Sequence, residues 1–415
     1  MSTALRLRLF EAFGVELEYM IVDAQSLDVR PIADELMRDA TGGEEYVGDV
    51  EAGDVSWSNE LVAHVVELKT TDPAPSLAPL AGSFQAQVRR INELLARHGA
   101  QLMPGGMHPW MDPARETKLW PHDCNEIYAA FNRIFNCQGH GWSNLQSVHL
   151  NLPFGDDAEF GRLHAAIRLV LPILPALAAS SPIVDGRATG ILDTRLDVYR
   201  TNSRRIPSVT GHVVPEAVFS EADYRQVILN TLYAEIAPHD PDGVLQEEWL
   251  NARGAIARFE RNTIEIRVLD IQECPAADLA ICGLAVGTLR GLADGRFGTL
   301  DEQQAWPAER LAEILLAAIR EGEQAVVRDA DYLRLFGMKA SSATAAELWR
   351  HINERVADRP ARTPETDRAL EVILREGPLA RRLLHRLGNR ADDRHAQARE
   401  FARLCDCLTR GEMLL

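Results

Sequence analysis

Cysteine is scarce in this sequence, and the few cysteines show no pairing pattern. Six occur among the 415 residues, and none belongs to a CxxC pair or has the spacing of a zinc site. In a chain of this length they indicate free thiols in a reducing compartment. Residues 1–6 lack the apolar run of a signal peptide, and no run of about 20 apolar residues occurs. We therefore expect a soluble, cytoplasmic protein that does not enter a membrane.

Basic residues are also few. Lysine and arginine total 44 against 61 acidic residues, which gives a net charge of −17. This balance argues against nucleic acid as a partner, because binding a phosphate backbone needs basic patches. It does not exclude nucleotides, since divalent cations can bridge their phosphates to carboxylates.

The stretch 14–23 has the alternation of a β-strand. Its odd-numbered positions from 15 to 21 are apolar, whereas Glu16 and Glu18 share the opposite face. Two carboxylates so close together repel each other unless cations lie between them. On this stretch alone, a half-exposed strand with a solvated acidic face is an equally good interpretation.

Three later strands repeat this arrangement of polar side chains on one face. The residues concerned are Glu67 in the strand 65–70, with Glu60 just before it; His149 and Asn151 in 147–152; and Glu265 and Arg267 in 262–270. Such a set makes chemical sense if the strands are neighbours in one sheet. We therefore predict an α+β fold with a curved antiparallel sheet, flanked by helices, whose concave face is the active site.

Well-known nucleotide-binding motifs are absent: the sequence has no Walker motif, no dinucleotide glycine fingerprint and no kinase signature. Carboxylate oxygens with a single imidazole indicate Mg²⁺, or alternatively Mn²⁺, rather than zinc. Five arginines between positions 187 and 205 are unusual in so acidic a chain. They suit a clamp for phosphate or carboxylate, although a salt-bridged surface loop remains an alternative.

The rest of the sequence is largely helical. Periodic apolar residues predict helices over 78–98, 126–136, 160–179, 221–236 and 275–294, the last with Gly283, Gly287 and Gly291 on one side for close packing. Beyond about residue 301 we find no strand signal. We predict a catalytic domain over 1–298 and a helical C-terminal subdomain over 299–415 that packs on it.

Over residues 11–295 the chain resembles glutamate–cysteine ligase family 2, the carboxylate–amine ligases of the glutamine synthetase-like superfamily. Each matching motif is weak alone, but their order is specific. They are GVELE at 14–18, Glu60 with VELKT at 66–70, SVHLN at 147–151, AASSP at 178–182, the segment 189–195, and TIEIRVLD at 263–270.

The resemblance implies a reaction in which ATP phosphorylates the γ-carboxylate of glutamate and an amine attacks the acyl phosphate. The implied Mg²⁺ ligands are Glu16, Glu18, Glu60, Glu67, His149 and Glu265. The implied catalytic residues are Arg267, Arg195 and Glu67. The implied substrate-binding residues are Arg195, Tyr199, Asn151 and Arg253, and the implied ATP-binding residues are Arg267, Arg204 and Arg205. The partners would be small amino acids and amines, and a homo-oligomer is left open.

Two departures from the family pattern concern the substrates. Many members have His-x-His where this chain has His149-Leu150-Asn151, and many have Trp-Trp-Asp-x-Arg-Pro where it has WLNARG at 249–254. Cysteine is therefore only the default amine.

Two other classes of function are alternatives. One is a metal-dependent hydrolase that uses His108, His140 and His149 with carboxylates. The other is a non-catalytic relative that binds a nucleotide or amino acid. A thiol nucleophile at Cys137 beside His140 is disfavoured, because no third group would orient the base.

Overall fold

The computed structural model describes residues 6–43, 45–356 and 358–415. Its β-strands are β1 Gly14–Asp23, β2 Asp49–Ala52, β3 Val55–Asn59, β4 Val65–Thr70, β5 Ala100–Met103, β6 Ser147–Pro153, β7 Ile183–Val184, β8 Arg187–Ala188, β9 Ala255–Arg258, β10 Thr263–Asp270, β11 Val326–Val327 and β12 Ala343–Thr344.

Within the described residues, eight of these strands form one antiparallel sheet. Seven of them follow the order β2-β3-β4-β1-β6-β10-β9, and the eighth is β5. β5 also joins β1, so that one edge of β1 pairs first with β6 and then with β5. The sheet with its flanking helices confirms the predicted α+β class. β1 lies at its centre, as the repeated polar faces require.

Helices surround this sheet. They are α1 Ala33–Thr41, α2 Leu80–Leu95, α3 Pro113–Glu116, α4 Asn125–Phe135, α5 His140–Ser143, α6 Asp157–Val170, α7 Pro175–Ala178, α8 Thr194–Tyr199, α9 Glu221–Tyr224, α10 Asn230–Ile236, α11 Pro275–Ala293, α12 Leu300–Gln304, α13 Ala308–Glu321, α14 Ala330–Leu335, α15 Ala345–Arg355, α16 Pro364–Glu376, α17 Leu379–Leu387 and α18 Arg394–Arg410.

The two faces of β1 have different neighbours. Val15, Leu17, Tyr19 and Ile21 point into the main hydrophobic core, together with the apolar side chains of α2 and α11. On the opposite face, beyond Glu18, Met20 belongs to a second core built with α17 and α18. The C-terminal helices therefore cover one end of the face of β1 that carries Glu16 and Glu18.

α11 is a core helix. Among the described helices it is the one long and apolar enough to cross a membrane, but most of its residues are buried inside the protein. A Cβ at Gly283 would lie 2.7 Å from Ala361 Cβ, and one at Gly287 would lie 2.4 Å from Val356 Cγ1. This close approach agrees with the packing predicted for these glycines.

Several elements differ from the sequence-based predictions. The prediction of no strand beyond residue 301 is wrong, because β11 and β12 pair as a short antiparallel ribbon. The arginine-rich loop contains α8, which buries Arg195. α1, the β2–β3 hairpin and β9 have short sequences or sequences of mixed polarity, which do not predict them. The interruption of the predicted helix 160–179 agrees with its sequence, since Pro172 and Pro175 are expected to kink it, and it is divided there into α6, a 3₁₀ turn and α7.

Candidate active site

The polar strand faces come together on one surface of the sheet. Glu18 of β1 lies opposite Glu67 of β4, and Glu16 lies opposite His149 of β6. Glu265 of β10 lies opposite Asn151 of β6. Pairing of neighbouring strands with period-two side chains places all these groups on one face. We call this surface the acidic face.

His149 is the centre of the acidic face. It is buried, and its Nδ1 lies 2.7 Å from Glu16 Oε2 and 3.6 Å from Glu265 Oε1. Its Nε2 lies 3.0 Å from Ser147 Oγ and 3.7 Å from Glu18 Oε1. Three carboxylates thus converge on one imidazole.

Neighbouring polar groups hold the carboxylates in place. The backbone N–H and hydroxyl of Ser147 donate to Glu18 Oε2 over 2.6 and 2.8 Å. Asn151 donates to Glu16 Oε1 over 3.0 Å, and Ser58 donates to Glu67 Oε2 over 2.6 Å. Because these donors fix the side chains, the acidic face is a preorganised set of oxygen atoms.

The pKa values reveal an excess of negative charge. Burial, followed by the charge of Glu18, raises the pKa of Glu60 to about 7. Burial, with the charges of Glu16 and Glu60, raises the pKa of Glu67 well above its usual value. Burial also acts to raise the pKa of Glu16, but the hydrogen bond and charge of His149, with Arg267 and Asn151, together outweigh it and lower this pKa to about 2. Added positive charge would be favourable here.

Two groups of side chains among the described residues could each hold a metal ion, and they share His149. One comprises Glu16, His149 and Glu265, and the other comprises Glu18, Glu67 and His149. In each group the ligand atoms lie within 4.8 Å of one another. This set of hard oxygen atoms with one imidazole and no thiolate fits Mg²⁺ or Mn²⁺. Of the predicted ligands, Glu60 lies outside both groups but lines the same cavity as Glu18.

Two cavities open on the acidic face. The first, which we call the aromatic cavity, has a volume of about 450 Å³ and is lined by Glu18, His149, Arg195, Tyr199 and Arg267 together with several aromatic rings. The second, the outer cavity, has a volume of about 880 Å³. Its lining residues include Arg6, Phe13, Glu16, Thr70, Asn151 and Arg261. The carboxylates of β1 therefore lie between two spaces that could each receive a ligand.

Arg195 and Arg267 reach the acidic face from different elements. Arg267 follows Glu265 on β10, and its Nε lies 2.8 Å from Glu265 Oε1. Arg195 is buried on α8, where its Nε donates to Asp270 and its Nη2 donates to the Arg267 carbonyl over 3.2 Å. Burial acts to lower the pKa of each guanidinium, but the neighbouring carboxylates outweigh it and raise both pKa values. Both side chains stay cationic at the cavity wall.

A β-bulge in β10 accounts for the position of Asp270. The pairing with β6 shifts by one residue between Ile266 and Leu269, so that Asp270 lies opposite Ser147 on the acidic face. Asp270 Oδ2 accepts hydrogen bonds from the Ser180 backbone and the Ser181 hydroxyl, each over 2.8 Å. The sequence alone does not indicate Asp270 as a partner of Arg195, since a bulge has no reliable signal in one sequence.

Three of the predicted binding arginines are not brought to either cavity. Arg204 is exposed, and Arg205 is exposed and donates to the Ile134 carbonyl over 2.8 Å. Arg253 is buried, and its guanidinium donates two hydrogen bonds to the Glu216 carboxylate, each over 2.6 Å. Tyr199 lines the aromatic cavity, and Asn151 lines the outer cavity.

The histidines and the thiol of the alternative functions lie elsewhere. The metal-binding groups found among the described residues include neither His108 nor His140. His108 Nε2 bonds the Leu27 carbonyl, and His140 pairs with Asp185. Burial raises the pKa of Cys137 to about 12, which disfavours the thiolate that a nucleophile needs.

The sequence does not predict the aromatic wall of the aromatic cavity. Phe131 of α4 packs on Trp142 and Trp249, with ring centroids 5.3 and 5.8 Å apart. Tyr128 of the same helix also lines the cavity. Amphipathic spacing predicts α4, but it does not distinguish an apolar face that packs in the core from one that lines a ligand cavity.

Solved structures share the architecture of this sheet and its flanking helices. By fold, the chain resembles a glutamate–cysteine ligase from Francisella tularensis solved in complex with AMP, with a TM-score of 0.57, 12% identity, and coverage of 98% of this chain and 90% of that one. It also resembles a bifunctional glutathione synthetase from Pasteurella multocida, with a TM-score of 0.54, 13% identity, and coverage of 95% and 53%.

The sequence comparisons identify the family. The model of glutamate–cysteine ligase family 2 matches residues 12–406, and the chain belongs to this family. A protein of uncharacterised function from Archaeoglobus fulgidus is 36% identical over 311 residues, which is 75% of this chain and 80% of that protein. The resemblance inferred from the ordered strand motifs is thus confirmed, and it extends through the C-terminal helices.

Proposed function

We propose that this chain is an ATP- and Mg²⁺-dependent ligase that joins the γ-carboxylate of glutamate to an amine through an acyl phosphate. The observation that carries the proposal is the pair of metal-binding groups that share His149. Glu16 of one group lines the outer cavity, and Glu18 of the other lines the aromatic cavity. These residues would hold Mg²⁺ at the boundary between a nucleotide in one cavity and a carboxylate substrate in the other.

The outer cavity suits the nucleotide. It is the larger of the two, and Arg6, Arg261 and Thr70 supply donors for phosphate or ribose oxygens, while Phe13 offers an apolar surface. The aromatic cavity then receives glutamate and the amine. AMP in the complex of the Francisella tularensis ligase supports a nucleotide substrate for this fold.

The arginines have complementary tasks in this reaction. Arg267, fixed by Glu265, would stabilise the negative charge that develops on the transferred phosphoryl group. Arg195, fixed by Asp270, would bind a carboxylate of glutamate. When bound, Mg²⁺ supplies Lewis-acid neutralisation of the phosphate oxygens, with Glu16, Glu18, Glu67, His149 and Glu265 as its ligands and Glu60 nearby.

The test is phosphate release from ATP with Mg²⁺ and L-glutamate, measured across a panel of amines that includes cysteine. Release that requires Mg²⁺, glutamate and an amine together supports the proposal. Hydroxylamine should replace the amine and yield the glutamyl hydroxamate, because it traps an acyl phosphate. Hydrolysis of ATP that ignores glutamate, or no release with any amine or with hydroxylamine, would overturn it.

A further inference from the structure

The chemistry of the aromatic cavity restricts the amine, provided that the proposed ligase reaction is correct. Its charged lining comprises Glu18 and His149 of the acidic face with Glu60, Arg195 and Arg267, and its neutral polar lining includes Tyr199, Asn202 and Ser203. A further wall comes from α4, α5 and two neighbouring segments and presents Tyr128, Phe131, Trp142, Leu145 and Trp249. A ligand that reacts at the sheet must place the rest of its body against these rings.

This wall carries no cation. Among the described residues that line the cavity, the lysines and arginines are Arg195 of α8 and Arg267 of β10 alone. Arg267 is paired with Glu265 and Arg195 with Asp270, and the reaction already needs both for the phosphoryl group and glutamate. A second carboxylate, on the amine, would be desolvated beside aromatic and neutral side chains without a cationic partner, which is costly.

The other arginines predicted to bind ligands, Arg204, Arg205 and Arg253, do not provide a cation for this wall. The side chain of Arg253, next to Ala252 of the cavity wall, is held by Glu216 and the Ser208 carbonyl. Arg204 and Arg205 are exposed and do not line the cavity. The segment that follows Trp249 thus presents apolar atoms to the ligand.

We infer that the acceptor is an amine with an apolar or aromatic body and no carboxylate, such as an arylalkylamine, rather than an α-amino acid. The rings of Phe131, Trp142 and Trp249 pack against its body through their faces and edges. The amine nitrogen forms a bond to the acyl carbon while the bond from that carbon to the phosphate oxygen breaks. The proton lost by the nitrogen leaves with the phosphate as hydrogen phosphate.

Two matched pairs of amines test the carboxylate and the aromatic ring separately. Cysteamine and cysteine differ only in the carboxylate, and 2-phenylethylamine and ethylamine differ only in the ring. With ATP, Mg²⁺ and L-glutamate, we expect cysteamine to exceed cysteine at least tenfold in kcat/KM. We expect 2-phenylethylamine to exceed ethylamine by a similar factor. A higher kcat/KM for cysteine than for cysteamine would overturn the inference.

Variants locate the effect. Trp142→Ala should raise KM for 2-phenylethylamine at least tenfold and KM for ethylamine less than threefold. If Trp142→Ala does not fold, Phe131→Leu tests the same wall. Leu316→Ala removes an exposed apolar side chain outside the cavity and is the control. Equal effects on both amines would overturn the assignment of the ring to this wall.

Hydroxamate formation distinguishes failure of the proposed ligase reaction from failure of the proposed amine preference. If hydroxylamine is consumed with glutamate but cysteine is the best amine, the ligase stands and the inference fails. If no hydroxamate forms, the proposed ligase fails, and the inference fails with it.

Discussion

Glu18 illustrates how single side chains build the acidic face. It is buried beside His149, opposite Glu67, and is fixed by two hydrogen bonds from Ser147. Such a concentration of carboxylates costs stability and has no structural use without cations. This cost is consistent with the metal-binding role proposed for these carboxylates.

Glu18→Gln should lower phosphate release by a factor of about 100 or more, because removing a preorganised charged group from an active site has effects of this size. The overall fold should persist, since the amide oxygen can still accept from Ser147. Steady-state phosphate release and circular dichroism would check both points. Glu51→Gln, at an exposed carboxylate of β2, is the matched control. Normal turnover in Glu18→Gln would show that the metal assignment is wrong.

The Arg195–Asp270 pair is a second feature at this scale, and it is fully enclosed. Asp270→Asn would leave the guanidinium charge buried without its counter-charge, so we expect a loss of about 3–5 kcal/mol in the free energy of unfolding. Urea denaturation would measure it. Asp406→Asn, at an exposed position of α18, should change the free energy by no more than about 0.5 kcal/mol. A loss as small for Asp270→Asn would mean that Arg195 finds another partner.

At the scale of elements, α11 depends on glycine where it meets the segment that precedes α16. The Cβ of Gly283→Ala would fall 2.7 Å from Ala361 Cβ, which is far inside contact distance. We expect destabilisation of about 1–3 kcal/mol from overpacking, which exceeds the gain in helix propensity of roughly 1 kcal/mol.

Gly82→Ala on α2 is the counterpart of this substitution. Its Cβ would meet no atom within 4 Å, so helix propensity acts alone and should stabilise the protein by up to about 1 kcal/mol. Thermal denaturation of both variants gives the comparison. Changes of the same sign would contradict the packing described for α11.

At the scale of the whole molecule, three buried histidines couple folding to pH. Burial lowers the pKa of His64 to about 4, and of His108 and His164 to about 3, so all three are neutral in the folded protein at pH 5. In the unfolded chain they take up protons below about pH 6.5. The unfolded state therefore binds more protons, and these groups lower the stability as the pH falls from about 6.5 towards 3.

His164→Gln removes one of these groups. Between pH 7 and pH 5, the wild type should lose about 2 kcal/mol more stability than this variant, because one proton uptake is absent from the variant's unfolded state. Urea denaturation of both proteins at the two pH values measures this difference. Protonation of Glu60, whose pKa is raised, stabilises the folded state as the pH falls, but it does so equally in both proteins and cancels in the comparison. Identical losses would mean that His164 is protonated in the folded state.

The C-terminal helices are part of the same structure as the acidic face. Trp349 of α15 donates to the Ile173 carbonyl over 2.7 Å, and α17 and α18 bury Met20 of β1. The family match also continues to residue 406. The division at residues 298 and 299 stays a prediction.

The sequence by itself determined the elements with strong periodicity and the chemistry of the acidic face. Period-two alternation identified β1, β4, β6 and β10, because a side chain on a strand must face either the core or the opposite surface. It therefore also predicted that Glu16, Glu18, Glu67, His149 and Glu265 would share one face. The order of these motifs along the chain identified the family.

Only the tertiary structure decided which polar residues meet. The β-bulge turned Asp270 towards the acidic face, and α8 buried Arg195 beside it, while Arg204 and Arg205 stayed exposed and Arg253 paired with Glu216. The aromatic wall likewise arises where α4 meets residues more than 100 positions away along the chain, such as Trp249. Local patterns fix which face of an element is apolar, but contacts between distant segments fix what that face encloses.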